Sequence, residues 1–323
     1  MKKRNSIRKI GLVLLHSLGF ILLFFVIRKL DFQMLKENIA LFKIWKIFAG
    51  LGILMIVYLI KTYRWLIINR AFGLKGSFGT LLVFFLFSGL LSSITPGRLG
   101  EFSRIWFIQK KYKAGITVST SSVLLDRIWD VLVLSMIGGI SVIMVISRFA
   151  IEWYTLAIII IIFLVALGII LFPGILFKPA LALAGKRPVR EELNQIYSAW
   201  KKNRIIFLIL GFSTSLLAFG ILALIPLMLS ADLDAPVRYG TSVTAVSISN
   251  ILSFLPVTVA GFGTREFVFT RVWSVQSYSA VTAVSVSTMF FVCTYLGSMV
   301  FGGIAYLLRI RKFYSIREIR SRK

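Results

Sequence analysis

Long apolar runs separated by short basic stretches recur along this chain of 323 residues. A helix needs roughly 20 apolar residues to cross a hydrocarbon core of about 30 Å. Six runs meet this requirement, at residues 10–27, 47–67, 116–146, 154–172, 205–229 and 279–308. The first run follows a basic start but has no small-residue cleavage site, so we interpret it as a retained helix and not as a secretory signal.

Two further apolar runs, at residues 78–95 and 241–257, lead straight into proline, glycine and charged residues. This pattern predicts broken or re-entrant helices. The breaks resemble each other, since both combine glycine, arginine and a Glu-Phe pair: Pro96-Gly97-Arg98-Leu99-Gly100-Glu101-Phe102 and Gly261-Phe262-Gly263-Thr264-Arg265-Glu266-Phe267. The predicted fold class is therefore an all-α polytopic membrane protein with about six full spans and two broken elements.

Composition argues against a water-soluble fold, because 58% of the residues are hydrophobic and the mean hydropathy is +0.89. The net charge of +26 would suggest nucleic acid in a soluble protein. Most of the basic residues here lie between apolar runs, where they set membrane orientation, so we expect no nucleic-acid partner. The single cysteine, Cys293, and the single histidine, His16, lie within apolar runs, and we expect neither a metal site nor a cofactor.

The distribution of lysine and arginine predicts that both termini are cytoplasmic. The basic stretches assigned to the cytoplasm are the N-terminal tail and residues 61–76, 98–113, 178–204 and 309–323. The segments around Arg148 and at residues 230–239 carry one basic residue each and are predicted to be external. Residues 28–46 must then be external despite five basic residues, and we predict an interfacial helix within them.

We treat the chain as one membrane domain, residues 1–323, with half-repeats at residues 1–150 and 151–310 and a basic tail at 311–323. On the charge count the first broken element enters from the inside and the second from the outside. This is the pattern of an inverted repeat, and transporters of that kind place their sites where the repeats meet. Chance similarity between two glycine-rich breaks is the alternative.

The break after the first of these runs could bind an anion. Pro96 ends the preceding helix, while Gly97 and Gly100 permit backbone conformations and close approaches that a side chain would forbid. If a short helix begins here, Arg98 and Glu101 share a face, and the helix N-terminus adds positive potential suited to a phosphate. The alternative is an ordinary cytoplasmic turn with an exposed salt bridge.

The second break, with Gly261, Gly263, Arg265 and Glu266, is not a nucleotide fingerprint, because it lacks the third glycine and the preceding strand. A glycine-rich backbone between apolar runs must be buried in protein or line a wet cavity, since lipid cannot satisfy its amides. This break therefore predicts part of a cavity wall.

A third charged motif, Asp126-Arg127-Ile128-Trp129-Asp130, lies about 15 Å along the predicted third span. The two aspartates share a helix face, and Arg127 reaches Asp130 at i,i+3. Charges at this depth cost about 2.5–3.5 kcal/mol each, so they must be paired or hydrated. They either bind substrate or form a salt-bridge cluster that orders the bundle. Arg64, between two aromatic residues at the end of the second span, is interpreted as an interfacial anchor.

With these residues in view, the chain resembles the lysylphosphatidylglycerol synthase transmembrane-region family over nearly its whole length. This is a flippase-like membrane domain that some relatives join to an aminoacyl-transferase domain. The residues that carry the resemblance are Arg64-Trp65, Pro96-Gly97-Arg98-Leu99-Gly100-Glu101, Asp126-Arg127 and Gly261-Phe262-Gly263-Thr264-Arg265-Glu266. Ala260 stands where relatives often have another glycine, which weakens inferences about the backbone there.

The resemblance implies a prokaryotic plasma-membrane protein that moves a charged lipid between leaflets. No aminoacyl-transferase domain is expected after residue 308, so we do not expect this chain to transfer lysine. Its partners would be membrane lipids, with a second copy or a separately encoded synthase as open alternatives. We find no Walker motif that would bind ATP.

Our leading hypothesis is a translocator for an anionic or aminoacylated lipid or a polyprenyl phosphate. Arg98, Arg127 and Arg265 would engage the headgroup, and Glu101 and Glu266 would hold these arginines or exchange protons. Asp126 and Asp130 complete the predicted substrate-binding set. The alternatives are a membrane-embedded lipid transferase with Glu101 or Asp126 as general base, and a non-catalytic partner of a separate synthase.

Overall fold

The helices follow the apolar runs of the sequence. The computed structural model describes residues 32–146, 187–233, 236–254, 261 and 263–310, with scattered helical positions between 157 and 174. The first part contains α1 (Phe32–Leu41), α2 (Ile44–Ala71), α3 (Phe78–Ile94), a 3₁₀ turn (Leu99–Phe102), α4 (Ser103–Tyr112) and α5 (Ile116–Ile146). The described residues form no β-strand, so the predicted all-α class is confirmed.

The second part of the chain is also helical. It contains α6 (Arg187–Leu222), α7 (Leu224–Ser230), a 3₁₀ turn (Ala231–Leu233), α8 (Tyr239–Phe254), α9 (Thr264–Ser274), α10 (Ala280–Phe291), a π-helical turn (Val292–Leu296), α11 (Gly297–Ala305) and a second π-helical turn (Tyr306–Ile310). From α10 to the second π-helical turn the segments follow one another directly and form one long helical stretch.

Within the described residues, three helical stretches are long and apolar enough to cross a membrane: Ile44–Ala71, Val189–Leu233 and Ala280–Arg309. They correspond to three of the predicted spans, and α5 coincides with a fourth. Its 31 residues extend about 46 Å at about 1.5 Å per residue, but three charges lie near its middle. The predicted span at residues 10–27 lies outside the described residues, and the span at 154–172 is described only at scattered positions.

The distribution of side chains is that of a protein in lipid. Ile205 and Ile209 on α6 are 71% and 67% exposed, whereas Arg64, Arg104 and Asp126 are 0% exposed. In water this arrangement would place apolar surface outside and charge inside at a large cost. In a bilayer the exposed aliphatic side chains contact acyl chains, and ionisable groups face the interior of the bundle.

Helices approach closely where glycine removes a side chain. A Cβ on Gly302 of α11 would overlap Leu90 Cβ on α3 and would stand 2.7 Å from the Leu86 carbonyl oxygen. A Cβ on Gly211 of α6 would overlap the ring of Trp129 on α5. Small residues at such contacts let membrane helices gain dispersion energy over a long interface.

The first broken element is a helix, a sharp turn and a second helix. Helix α3 ends at Ile94, two residues before Pro96, and Gly97 and Arg98 have φ of 58° and 55°, in the left-handed region. The amide of Gly100 donates to the Thr95 hydroxyl at 2.7 Å. Arg98 therefore precedes the 3₁₀ turn and lies in a left-handed conformation, outside the short helix that would have let it share a face with Glu101.

The second broken element also has a helix on each side of its glycines. Helix α8 is described as far as Phe254, and α9 begins at Thr264 after Gly261 and Gly263, whose φ values are 74° and 82°. The predicted end of this apolar run at residue 257 lies outside the described residues. Helix α9 packs against α8, as the 3₁₀ turn and α4 pack against α3. Whether the two elements are inverted copies stays a prediction.

Contacts at the two ends of the bundle agree with the predicted grouping of loops. Lys46 Nζ forms an ion pair with Asp232 Oδ1 at 2.9 Å, so the described parts of the two segments predicted to be external lie at one end. The rings of Phe72 and Phe207 meet edge to face with centroids 6.3 Å apart. Phe72 belongs to the stretch 61–76 assigned to the cytoplasm, and Phe207 lies three residues after the stretch 178–204 that has the same assignment. The prediction of a helix within residues 28–46 is confirmed by α1. Which end faces the cytoplasm stays a prediction.

Candidate functional site

Seven charged side chains meet between α2, α4, α5 and the first 3₁₀ turn, and we call them the charged network. They are Lys61, Arg64, Glu101, Arg104, Asp126, Arg127 and Asp130. The network combines four cations with three carboxylates and so has a formal charge of +1. All seven residues lie inside the bundle, where each charge requires a partner.

The two aspartates of α5 form the centre of the charged network. Arg64 binds both, with Nη2 2.6 Å from Asp126 Oδ1 and Nη1 3.0 Å from Asp130 Oδ1. Arg104 Nη1 lies 2.8 Å from Asp126 Oδ2, and Lys61 Nζ lies 2.9 Å from Asp130 Oδ2. The i,i+4 spacing of the aspartates matches the forked guanidinium, which can donate to two acceptors at once.

Arg127 and Glu101 form the outer edge of the charged network. Arg127 Nη1 contacts Glu101 Oε2 and also lies 3.3 Å, through Nη2, from Asp130 Oδ2, the i,i+3 pair expected from the sequence. The side chains of Arg127 and Glu101 are 11% and 12% exposed, whereas those of Arg64 and Arg104 are 0% exposed. This edge therefore borders open space.

The open space is a cavity of about 90 Å³ between α2, α3, α8 and the stretch from α10 to α11. One water requires roughly 10–15 Å³ on the same measure, so several waters or a small polar group fit. The charged residues that line it are Lys61, Arg98, Glu101, Arg127 and Arg265. Several serines also line the cavity, among them Ser88, Ser92 and Ser249.

Arg98 crosses from the first broken element to the second half of the chain. Its Nη2 donates to Asn250 Oδ1 at 2.9 Å and to the Tyr295 hydroxyl at 3.1 Å. Its guanidinium carbon lies 5.7 Å from the ring centroids of both Phe254 and Tyr295. The alternative of an exposed turn with an Arg98–Glu101 salt bridge is therefore wrong, because Glu101 pairs with Arg127 and is only 9% exposed.

Arg265 of the second broken element also lies near Tyr295. It contacts Glu266 directly, and its Nε donates to Ser287 Oγ at 3.0 Å. Glu266 Oε2 in turn accepts from the amide of Gly263 at 2.8 Å, which caps the N-terminus of α9. The Arg265 guanidinium carbon lies 5.8 Å from the Tyr295 ring centroid. The two broken elements thus meet at one tyrosine.

Four of the seven predicted substrate-binding residues line the cavity: Arg98, Glu101, Arg127 and Arg265. The other three, Asp126, Asp130 and Glu266, are outside this lining and bind the cations behind it. Within the described residues, no three His, Cys, Asp or Glu side chains are grouped as metal ligands would be.

The interpretation of Arg64 as an interfacial anchor is wrong, since the side chain is 0% exposed and paired with two aspartates. Lys61 and Arg104 were interpreted only as basic residues of cytoplasmic stretches, although both belong to the charged network. Sequence reasoning missed Asn250 and Tyr295 as well. The available signal was an amide and a phenol within predicted membrane segments, where polar groups need partners.

Comparison with known proteins gives the site its context. The family model "Lysylphosphatidylglycerol synthase TM region" matches residues 9–302. The chain is also 22% identical over 227 residues to a UPF0104 membrane protein of Methanocaldococcus jannaschii, a match that covers 68% of this chain and 93% of that protein. The family match includes both broken elements and the charged network. This chain is therefore a member of the lysylphosphatidylglycerol synthase TM region family.

Proposed function

We propose that the protein is a lipid translocator that moves a lipid with an anionic or aminoacylated headgroup, or a polyprenyl phosphate, between the leaflets of a prokaryotic plasma membrane. Both termini would lie in the cytoplasm. The headgroup would enter the cavity while the acyl or prenyl chains stay in the bilayer. One observation carries the proposal: Arg98 of the first broken element reaches Asn250 and Tyr295 across a buried cavity lined by four cations and one carboxylate.

The electrostatics of the cavity favour an anion. Lys61, Arg98, Arg127 and Arg265 face it, and Glu101 is the one carboxylate among its described lining residues. In surroundings of low dielectric, an excess of fixed positive charge attracts an anionic group more strongly than the same charges do in water. The acyl or prenyl chains would contact the apolar exterior of the bundle during transfer.

The carboxylates would position the cations. Glu101 holds Arg127, and Glu266 holds Arg265 while it caps α9. The broken elements are the parts of the molecule that would move relative to each other, because glycines with left-handed φ stand before the first 3₁₀ turn and before α9. Movement of the two halves about the cavity would then expose the headgroup to one leaflet and then to the other, as in transporters built from inverted repeats.

The geometry disfavours the transferase alternative with Asp126 as general base. Asp126 Oδ1 accepts from Arg64 Nε and Nη2 at 2.8 and 2.6 Å, and Oδ2 accepts from Arg104 at 2.8 Å. A base needs a lone pair within hydrogen-bond reach of the proton it removes. The charge-assisted bonds to two arginines occupy the oxygens of Asp126 and keep it behind the cavity lining.

The experiment reconstitutes the purified protein in liposomes and follows leaflet exchange of labelled anionic, zwitterionic and polyprenyl-phosphate lipids. Glu101→Gln and Glu266→Gln are the test variants. Glutamine keeps an oxygen that can accept the Gly263 amide, so the second variant removes charge with little effect on the α9 cap. We expect headgroup-selective exchange that is at least tenfold slower in both variants.

Glu37→Gln is the matched control, because it makes the same chemical change on α1, outside the cavity. It should exchange lipid at the rate of the unmodified protein. Full exchange in both test variants would refute the assigned roles of the two glutamates. No exchange above empty liposomes with folded protein would refute the translocator and favour a partner subunit, which should then co-purify with a separate synthase.

A further inference from the structure

We infer that one subsite of the cavity, formed by Arg98, Ser249 and Asn250, binds the anionic group of the ligand, a phosphate or phosphodiester. This inference rests on the proposed function for its lipid source, but the subsite can be tested by binding alone. It assigns the anion to Arg98, because the other three cavity cations are already paired with carboxylates.

The argument begins with the partners of the four cavity cations. Within the described residues, Lys61 pairs with Asp130, Arg127 with Glu101, and Arg265 with Glu266. Arg98 instead donates to the neutral oxygens of Asn250 and Tyr295. Its charge is therefore hydrogen-bonded but not neutralised by a contacting carboxylate. A buried cation of this kind gains most from an incoming anion, because no existing ion pair has to be broken.

A second observation points to the same place. Ser249 precedes Asn250 on α8, lines the cavity and is 6% exposed. Within the described residues its hydroxyl has no hydrogen-bond partner, and neither has Nε of Arg127, which lines the same cavity. Buried polar atoms are nearly always hydrogen-bonded, so two donors without partners beside one cavity indicate a missing acceptor. A phosphate supplies several acceptor oxygens.

Asn250 positions Arg98. Its amide Nδ2 donates to the Val246 carbonyl at 2.8 Å, which leaves Oδ1 facing Arg98. Tyr295 provides the second acceptor and lies on the π-helical turn Val292–Leu296. Such turns widen a helix locally and are frequent at functional sites. Both partners are neutral, so neither cancels the positive charge of Arg98 that would attract the anion.

Asn250→Asp tests this requirement, because it places a carboxylate beside Arg98 with almost no change in shape. The new ion pair should neutralise Arg98 and weaken anion binding at least tenfold. Asn203→Asp is the matched control. Asn203 also donates to a carbonyl four residues earlier, at 2.8 Å, but lies on α6 outside the cavity lining. Its substitution should leave binding within twofold of the unmodified protein.

Binding is measured on the purified full chain in neutral detergent with three probes: inorganic phosphate, dihexanoylphosphatidylglycerol, and dihexanoylglycerol, which lacks the phosphate. We expect the phospholipid to bind, the neutral lipid not to bind, and Asn250→Asp to lose the difference. Equal affinity for inorganic phosphate would support the anion subsite and count against a lipid as its source. Size-exclusion and thermal unfolding establish that each variant is folded.

Should Asn250→Asp fail to fold, Arg98→Gln asks the same question by removing the charge itself, with the same expected loss. Unchanged phospholipid affinity in a folded Asn250→Asp or Arg98→Gln variant would overturn the subsite while leaving the proposed translocation open. Conversely, selective binding without lipid exchange in liposomes would support the subsite and refute the translocator. The two proposals therefore fail separately.

Discussion

Replacement of Asp126 by asparagine should destabilise the bundle more than any other carboxylate-to-amide substitution in the charged network. Asp126 accepts charge-assisted hydrogen bonds from Arg64 and Arg104, whose side chains are 0% exposed. Asparagine keeps the volume and one acceptor but removes the charge, so both arginines lose their shared counter-ion. Removing one partner of a buried pair costs about 3–5 kcal/mol. That is a large part of the roughly 5–15 kcal/mol that stabilises an ordinary domain.

The assay is thermal or denaturant unfolding of the purified protein in mild detergent, with Glu37→Gln as an exposed control expected to stay within about 0.5 kcal/mol. The double variant Asp126→Asn, Arg104→Gln restores the excess of one positive charge in the network. It should therefore lose less stability than the two single variants together, with a coupling of about 0.5–3 kcal/mol. A loss below about 1 kcal/mol for Asp126→Asn, or strict additivity, would refute the reasoning.

Two further substitutions, the first with a matched control, test the description of the site. Gly100→Ala would drive a methyl group into the Leu91 carbonyl carbon, so we expect a clearly lowered Tm and a loss of lipid exchange. Gly303→Ala is the control: its methyl group meets no atom within 4 Å and should stabilise the helix slightly. Lys61→Met leaves Asp130 paired with two arginines, so it should change stability by less than about 1 kcal/mol; a loss as large as that of Asp126→Asn would contradict the pairing drawn here.

Local chemistry made the breaks and the α5 motif predictable. Pro96 lacks an amide donor, and the left-handed φ of Gly97 is one that glycine adopts easily, so the end of α3 could be placed from sequence to within one residue. The shared helix face of Asp126 and Asp130 follows from their i,i+4 spacing within one helix, so no other part of the chain is needed to predict it. Each of these signals lies within seven residues of the feature it predicts.

The partners of those charges could not be predicted in the same way. Arg64 meets Asp126 across 62 positions of sequence, and Arg98 meets Asn250 across 152. A basic residue near the end of an apolar run is usually a snorkelling anchor, and nothing in the run itself distinguishes Arg64 from that case. Only the packing of α2 against α5 distinguishes a snorkelling anchor from a buried ion-pair partner. The hydrophobic periodicity of either helix does not predict that packing.

The π-helical turn at Val292–Leu296 takes up one extra residue within a single widened turn. Loss of one residue from this turn would let the helix wind regularly and would leave the later side chains, Gly302 among them, near their present positions against α3. The change would fall within the turn itself, where Tyr295 accepts the hydrogen bond from Arg98. A relative one residue shorter here would therefore keep the packing against α3 but present a different side chain to the arginine of the first broken element.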